Sequence, residues 1–310
     1  MGKRLPGSRL MFLVYWHNIL PQSSEVWDEA LPRLTAESFQ KQISWISRHF
    51  QPLDLSDFLN RTDPPDSSKR ELVITFDDGF RGVYEFGLPI LQEAGWTGGV
   101  FLLDRSIHPG DESPLMHAET LEIAFRITRK SRFSELSLQT DTDKLFAYLS
   151  TKKKMRGMKP EERTAFCATV AQTLEVLPEE ISAFAKKNPS TYAKLTDEDC
   201  KDLYQKGWTL GTHTTNHPHL TQLPPNRRML EIGKGHRCLE KRNRKTFAYP
   251  YGDYSKGIAE EVRALGFDAA FTTEPRLVSE GDNRYLLPRM SFGSLWTRAM
   301  KRYRTGSFKN

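Results

Sequence analysis

The 310-residue chain has three cysteines, Cys167, Cys200 and Cys238, which lie far apart and form no CxxC pair. That spacing excludes a disulfide framework and a cysteine-ligated zinc knuckle, so the thiols read as buried or incidental. No run of about 18 apolar residues occurs, so no membrane-spanning helix is expected. There are no internal repeats and no long low-complexity tract. Charge of one sign is also scarce. Lys plus Arg number 45 against 39 Asp plus Glu, a net charge of +6, and no nucleic-acid-binding motif accompanies the excess, so nucleic acid is not an expected partner. Basic clusters such as Lys152-Lys153-Lys154 and Lys241–Lys245 read as solvated faces. The other reading is contact with an acidic partner, such as a phosphorylated carrier or an anionic membrane surface. Lys3, Arg4 and Arg9 precede the apolar run Leu10–Val14 in the manner of a signal peptide. The run is short, leads straight into Tyr15-Trp16-His17-Asn18 and has no small-residue cleavage site. It is read as a buried strand, and the cytoplasm is the expected location.

What is present is enough apolar material for a core: 38% hydrophobic and 11% aromatic residues. Candidate strands are Leu10–Trp16, Glu71–Phe76, Thr97–Leu103, Trp208–His213, Lys245–Tyr249, Asp268–Thr272 and Tyr285–Met290. Leu72-Val73-Ile74-Thr75-Phe76 is apolar on both faces, as a parallel strand covered on both sides requires. Between the strands lie amphipathic helices. Thr35 caps one whose core face is Phe39, Ile43 and Ile46. Thr196 caps another, with Asp199 three residues on and Gly207 at its end, and a third presents Ile258, Val262 and Leu265 before Gly266. Such alternation implies an α/β fold, either a barrel or a doubly wound sheet. The rhythm breaks over residues 111–195. That stretch shows no convincing strand and only helical periodicity (Phe166, Val170, Leu174, Leu177), with Pro160 and Pro178 placed as helix starts. It is read as a helical insertion within a single domain spanning residues 1–310.

Three segments at strand ends could carry chemistry. Thr75-Phe76-Asp77-Asp78-Gly79-Phe80 closes the most apolar strand, where α/β folds place their sites. Neighbouring carboxylates repel unless something positive shares the site; a metal ion would bind one and leave the other free as a base. The alternative is a solvated Asp-Asp-Gly turn. His213 and His217 are four apart, so on one helical turn both imidazoles would share a face. That suits a divalent metal with one carboxylate as third ligand, although surface histidines show the same spacing. His219 has no evident place in this geometry and reads as structural. Phe247-Ala248-Tyr249-Pro250-Tyr251-Gly252-Asp253 makes a tight turn able to aim a backbone N–H at a developing oxyanion, or is a plain turn.

In combination these segments resemble the polysaccharide deacetylase family of metal-dependent carbohydrate esterases. Thr75–Gly79 is similar to the motif whose first Asp is the base and second a metal ligand. His213–His217 resembles the paired-histidine motif, and Tyr249–Gly252 the groove wall that supplies the oxyanion donor. The resemblance covers roughly Leu10–Asp104 and Leu195–Met290, not the insertion. It implies a distorted (β/α)7 barrel. It also implies metal ligands Asp78, His213 and His217, base Asp77, and an oxyanion- and substrate-binding turn of Tyr249, Pro250 and Tyr251. Two departures stand out. Ala248 occupies a position where many members have Arg, and no histidine follows His236, where most have a late catalytic one. Tyr15-Trp16-His17 and Phe247–Gly252 look like a branch with circularly permuted motif order, similar to the biofilm poly-N-acetylglucosamine deacetylases. His17, after the first strand, is therefore the expected general acid. Arg289, at the end of the last candidate strand, is the expected cation beside Asp77.

The resemblance implies a hydrolase that removes the acetyl group from an N-acetylated saccharide, which could be carrier-linked. One divalent ion is implied, zinc by default, with cobalt, nickel or manganese also compatible. Two rivals stay open: a deacylase or esterase for another acyl group, and a catalytically idle glycan-binding module. A binding module has no use for a free carboxylate beside the metal ligands.

Overall fold

A computed structural model of the chain describes residues 11–22, 26–61, 70–103, 115–233, 245–279 and 281–293. Cys238, His108, His236, Lys241–Arg244 and the first residues of the expected insertion, 111–114, lie outside these. Within them, the short apolar runs become parallel strands. These are β1 (Met11–Trp16), β2 (Glu71–Phe76), β3 (Gly99–Leu102), β4 (Thr209–Thr212), β5 (Thr246–Ala248), β6 (Ala269–Phe271) and β7 (Met290–Ser291). They lie in the order β6-β5-β4-β3-β2-β1-β7, and Gln51–Pro52 adds a short eighth strand against β2. A parallel bridge from Phe271 to Leu287 ties β6 to the segment entering β7, while β7 pairs with β1. The two ends of the sheet thereby meet, as a distorted (β/α)7 barrel requires. Every residue of β2 is buried, which is why that strand shows no alternation.

The last strand differs from expectation. The ladder is confined to Met290–Ser291, so Arg289 enters β7 instead of ending a strand that starts at Tyr285. Its guanidinium still points inward, and the donor from its Nε goes to the Thr272 carbonyl, 3.2 Å away.

Helices cover the barrel as their caps and apolar stripes dictate. The helix α1 (Ala36–His49) buries Phe39, Ile43 and Ile46, and the Thr35 hydroxyl accepts from the Ser38 N–H at 3.1 Å. The expected insertion contains α2 (His117–Ile127), α3 (Asp141–Arg156), α4 (Pro160–Thr173) and α5 (Pro178–Lys187). The barrel resumes with α6 (Asp197–Gln205), opened by a Thr196–Asp199 capping box, and later α7 (Lys256–Ala264). Pro160 and Pro178 each stand at a helix start, where a missing N–H costs nothing.

The inserted helices form their own apolar core from Leu121, Phe125, Tyr148, Leu174 and Tyr192. Trp27, from a short helix after β1 (Val26–Ala30), completes it. Two expectations fail in this region. A small antiparallel hairpin, Arg132–Phe133 with Leu136–Ser137, interrupts the helices; it is too short for alternation to reveal. Leu177 is 56% exposed, because α4 ends at Thr173 and the helical period does not reach it. Among the described residues no helix is long and apolar enough to cross a membrane.

The far end of the insertion is stitched to the barrel mouth. Arg81 N–H donates to the Ala193 carbonyl at 2.9 Å and Leu195 N–H to the Gly79 carbonyl at 2.8 Å. The segment just after Asp77-Asp78 is thus paired like a strand with residues 193–195.

Candidate metal centre and carboxylate pair

The carboxyl ends of β1, β2, β4 and β5 bring His17, Asp77, Asp78, His213 and the 249–252 turn to one rim. Asp77 continues β2, its N–H donating to the Trp16 carbonyl at 2.9 Å. At Asp78 the backbone turns into the left-handed region, φ 70°, and Gly79 follows at φ 65°, where an added Cβ would lie 2.9 Å from Leu102. Consecutive side chains therefore face different partners.

Asp77 faces Arg289. The guanidinium makes two parallel bonds to it, Nη1 to Oδ1 at 2.7 Å and Nη2 to Oδ2 at 2.9 Å, and Nη1 also reaches the Thr75 hydroxyl at 3.2 Å. Arg289 is fully buried, with the rings of Phe101 and Tyr15 at 5.0 and 5.1 Å. Burial alone would raise the Asp77 pKa, but Arg289 foremost, then His213 and His17, hold it below the ordinary carboxylate value.

Asp78 faces the histidines. Its Oδ1 lies 3.4 Å from His217 Nε2 and 3.6 Å from His213 Nε2, and the two Nε2 atoms are 3.1 Å apart. His213 Nδ1 is 2.8 Å from the Ala248 carbonyl. A carbonyl only accepts, so Nδ1 carries the hydrogen and the Nε2 lone pair faces Asp78. Buried Asp78 Oδ1 has no hydrogen-bond partner. An anionic oxygen left bare between two imidazole nitrogens is costly unless a cation occupies the gap. The three donor atoms converge within 4.8 Å of one another, and a carboxylate with two imidazoles is a fitting set for a divalent ion with an open position. Burial would raise the Asp78 pKa, yet His217, His17, His213 and Lys194 together bring it down to about 2. Desolvation lowers His217 to about 3, which keeps that imidazole neutral.

The paired histidines are not on a helical turn. Thr214 (φ 70°) and His217 (φ 53°) adopt left-handed conformations, and the loop is held from outside. Glu231 accepts from the N–H groups of Thr215 (3.1 Å) and Asn216 (2.8 Å), and the Thr214 hydroxyl accepts from His217 N–H at 3.0 Å. The loop achieves by fixed backbone what a helix would have achieved by period.

The 249–252 turn divides. Tyr249 is buried in the barrel wall, its hydroxyl donating to the Tyr285 carbonyl at 2.9 Å, and Pro250 is buried too. Tyr251 alone faces the site. Its backbone is left-handed at φ 59°, and its ring lies 4.4 Å from that of His217. His219, read from sequence as structural, stacks on the Tyr251 ring at 4.0 Å. His17 is partly buried just beyond β1, its ring 5.7 Å from that of Tyr15, within electrostatic reach of both carboxylates. One group escaped the sequence reading altogether. Lys194 is buried beside the Asp78 loop, 2.7 Å from Glu119 Oε1 and 3.3 Å above the Phe80 ring. Neither residue belongs to a recognisable spacing, so only the folded insertion brings them together.

Parts of the chain are similar to known polysaccharide deacetylases. The polysaccharide deacetylase family model matches residues 164–270. That stretch holds both histidines and the 249–252 turn, reaches back into the insertion at α4, and leaves Asp77-Asp78 outside. YxkH of Bacillus subtilis (strain 168), whose name assigns it to the polysaccharide deacetylases, is 26% identical over 99 residues, 31% of this chain and 36% of that protein. The matched stretch thus spans about a third of that relative's length. In three dimensions the chain is similar to IcaB from Ammonifex degensii, with a TM-score of 0.58, 15% identity, and 94% of this chain and 96% of that one covered. It is also similar to the Streptococcus pyogenes deacetylase PplD, solved with acetate, with a TM-score of 0.56, 16% identity and 92% of each chain covered. Part of the sequence is thus similar to polysaccharide deacetylases, and the fold is similar to that of solved deacetylases. The fold likeness extends the resemblance over the deacetylase barrel's first strands, which the family model does not reach.

The Arg289–Asp77 pair has a measurable consequence. Arg289→Met leaves a buried carboxylate uncompensated, so chemical denaturation should show a loss of about 3–5 kcal/mol. Adding Asp77→Asn should return part of that loss; a double variant no more stable than Arg289→Met would contradict the pairing. Because the folded Asp77 pKa lies below 3.8, its contribution is full above that pH and lost as pH falls below it. Arg289→Met should flatten this acid limb.

Proposed function

We propose that the protein is a metal-dependent hydrolase that removes the acetyl group from an N-acetylated amino sugar. The observation that carries this reading is the contrast between two adjacent buried carboxylates. Asp77 is neutralised by Arg289, whereas Asp78 has a bare oxygen between two imidazole nitrogens. Asp78, His213 and His217 would hold the ion, with zinc the default and cobalt, nickel or manganese compatible. When bound, such an ion supplies Lewis acidity, polarising the acetyl carbonyl and making the attacking water more acidic.

The chain's own groups do the rest. Both Asp77 oxygens accept from Arg289, but each keeps a further lone pair, so the carboxylate can take the water's proton while held in place. The left-handed backbone at Tyr251 presents the turn beside His217, where its N–H can meet the developing oxyanion. His17, on the same rim, gives a proton to the leaving amine, since an unprotonated amine anion is a very poor leaving group. Acetate release from N-acetylated sugars, free, polymeric and carrier-linked, measured with and without chelator, tests the reaction. Release of a different acid, or none from any of them, would refute it.

The ligand assignment has its own readout. His213→Ala and His217→Ala should each lose most bound metal by elemental analysis, and full stoichiometric retention in both would defeat the assignment. His17→Ala should fold and keep metal, yet lose roughly 10²–10⁴-fold in turnover, with the basic limb of the pH–rate profile altered. Near-parental turnover in the metal-loaded variant would remove His17 from the mechanism.

A further inference from the structure

Several buried and half-buried cations in this protein are paired with carboxylates. Arg289 has Asp77, Lys194 has Glu119, and Arg33 has Glu122 and Asp28. Lys152 is placed differently. It is half-buried, and no carboxylate among the described residues lies within ion-pair distance of it. Lys153 and Lys154, its neighbours at the end of α3, are exposed and suffice to complement that helix's dipole.

The direction of Lys152 is fixed by the helix. Tyr148, Lys152 and Arg156 are four residues apart in succession, so they form one stripe along α3. The stripe begins in the insertion core, where Tyr148 is buried and the Lys152 ammonium sits 5.5 Å over its ring. It ends at the site, where the Arg156 guanidinium lies 5.9 Å over the Tyr251 ring, which in turn touches His217. The stripe is locked in this place. Buried Arg163 donates to the carbonyls of Arg156 (3.4 Å) and Met158 (3.1 Å) and to Gln222 Oε1 (2.7 Å) on the barrel loop that follows His219.

Two cations thus follow one another along the stripe toward the mouth, and Lys152, half-buried over the Tyr148 ring, has no carboxylate partner among the described residues. Burial and then Arg156 push the Lys152 pKa down, so an anion brought between the two cations would relieve their repulsion. We propose that Lys152 and Arg156 clamp an anionic substituent of the substrate, a phosphate or a carboxylate carried near the acetylated amine. This rests on the deacetylase reading and narrows it to charged saccharides, with Tyr251 as the platform between clamp and reacting centre.

The test compares ligand affinities of the metal-loaded protein by calorimetry. The probes are the methyl glycoside of N-acetylglucosamine, N-acetylglucosamine 1-phosphate and N-acetylmuramic acid, a neutral, a phosphorylated and a carboxylated sugar. At least one anionic sugar should bind about tenfold or more tightly than the neutral one, as a charge-assisted contact supplies. That ratio should collapse in Lys152→Met/Arg156→Met and fall below one in Arg156→Glu. Whichever anion gains identifies the group that is read. Equal affinities in the parent would overturn the clamp. So would a preference that survives in the double variant, since the anion would then be held elsewhere, for instance by the metal. Acetate release followed in parallel keeps the two readings apart: an anion preference without deacetylation of any sugar would leave the clamp standing and overturn the reaction.

Discussion

Two carboxylates adjacent in sequence and both buried cannot coexist as anions without separate compensation, and the mouth of this barrel is organised around that constraint. Compensation comes from opposite sides. Arg289, reaching across from the segment that enters β7, takes Asp77 with two bonds. The left-handed turn at Asp78 sends the second carboxylate toward His213 and His217. A single residue of extended backbone in place of that turn would send the two side chains in alternating directions along a strand. One of them would then face the apolar wall. The separation of environments, one carboxylate neutralised by a guanidinium and the other bare between two imidazoles, follows from one φ angle and one guanidinium.

Strain is concentrated where it serves this arrangement. Asp78, Thr214, His217 and Tyr251 are all non-glycine residues with positive φ, a conformation that costs free energy at each position. What holds them lies just outside the site. The 193–195 segment pairs with the loop after Asp78, Glu231 grips the histidine loop, and Gly252 sits so close to Thr273 that a Cβ would come within 2.0 Å of its hydroxyl. The insertion therefore does more than cover the barrel. Its final residues brace the carboxylate turn, and α3 sets Arg156 over the Tyr251 ring.

Much of this was legible in the sequence, for identifiable reasons. Strands β2 to β6 announce themselves because parallel strands buried on both faces are written as largely apolar runs, whereas β7 is shorter and later than the run from Tyr285 suggests. The helices of the barrel are readable because Thr35 and Thr196 cap them and their apolar stripes keep the 3.6-residue period. Asp77, Asp78, His213 and His217 were visible as donors at strand ends. Less was visible where a contact depends on backbone geometry without periodicity. The histidine loop is no helix, and nothing in its spacing reports positive φ or the grip of Glu231. The pairing of Lys194 with Glu119, 75 residues apart in sequence, and the stacking of His219 on Tyr251 are products of tertiary packing alone. The inward turn of Lys152, within a run of three lysines that reads as solvent-exposed, belongs to the same class.

The division of labour between the two carboxylates can be examined directly by anomalous diffraction from crystals soaked in zinc. The proposed ligand set predicts one strong peak at about 2.0–2.2 Å from an Asp78 oxygen and from both Nε2 atoms of His213 and His217. Both Asp77 oxygens should remain on Arg289. An absence of metal there, or an ion ligated by Asp77 as well as Asp78, would contradict it.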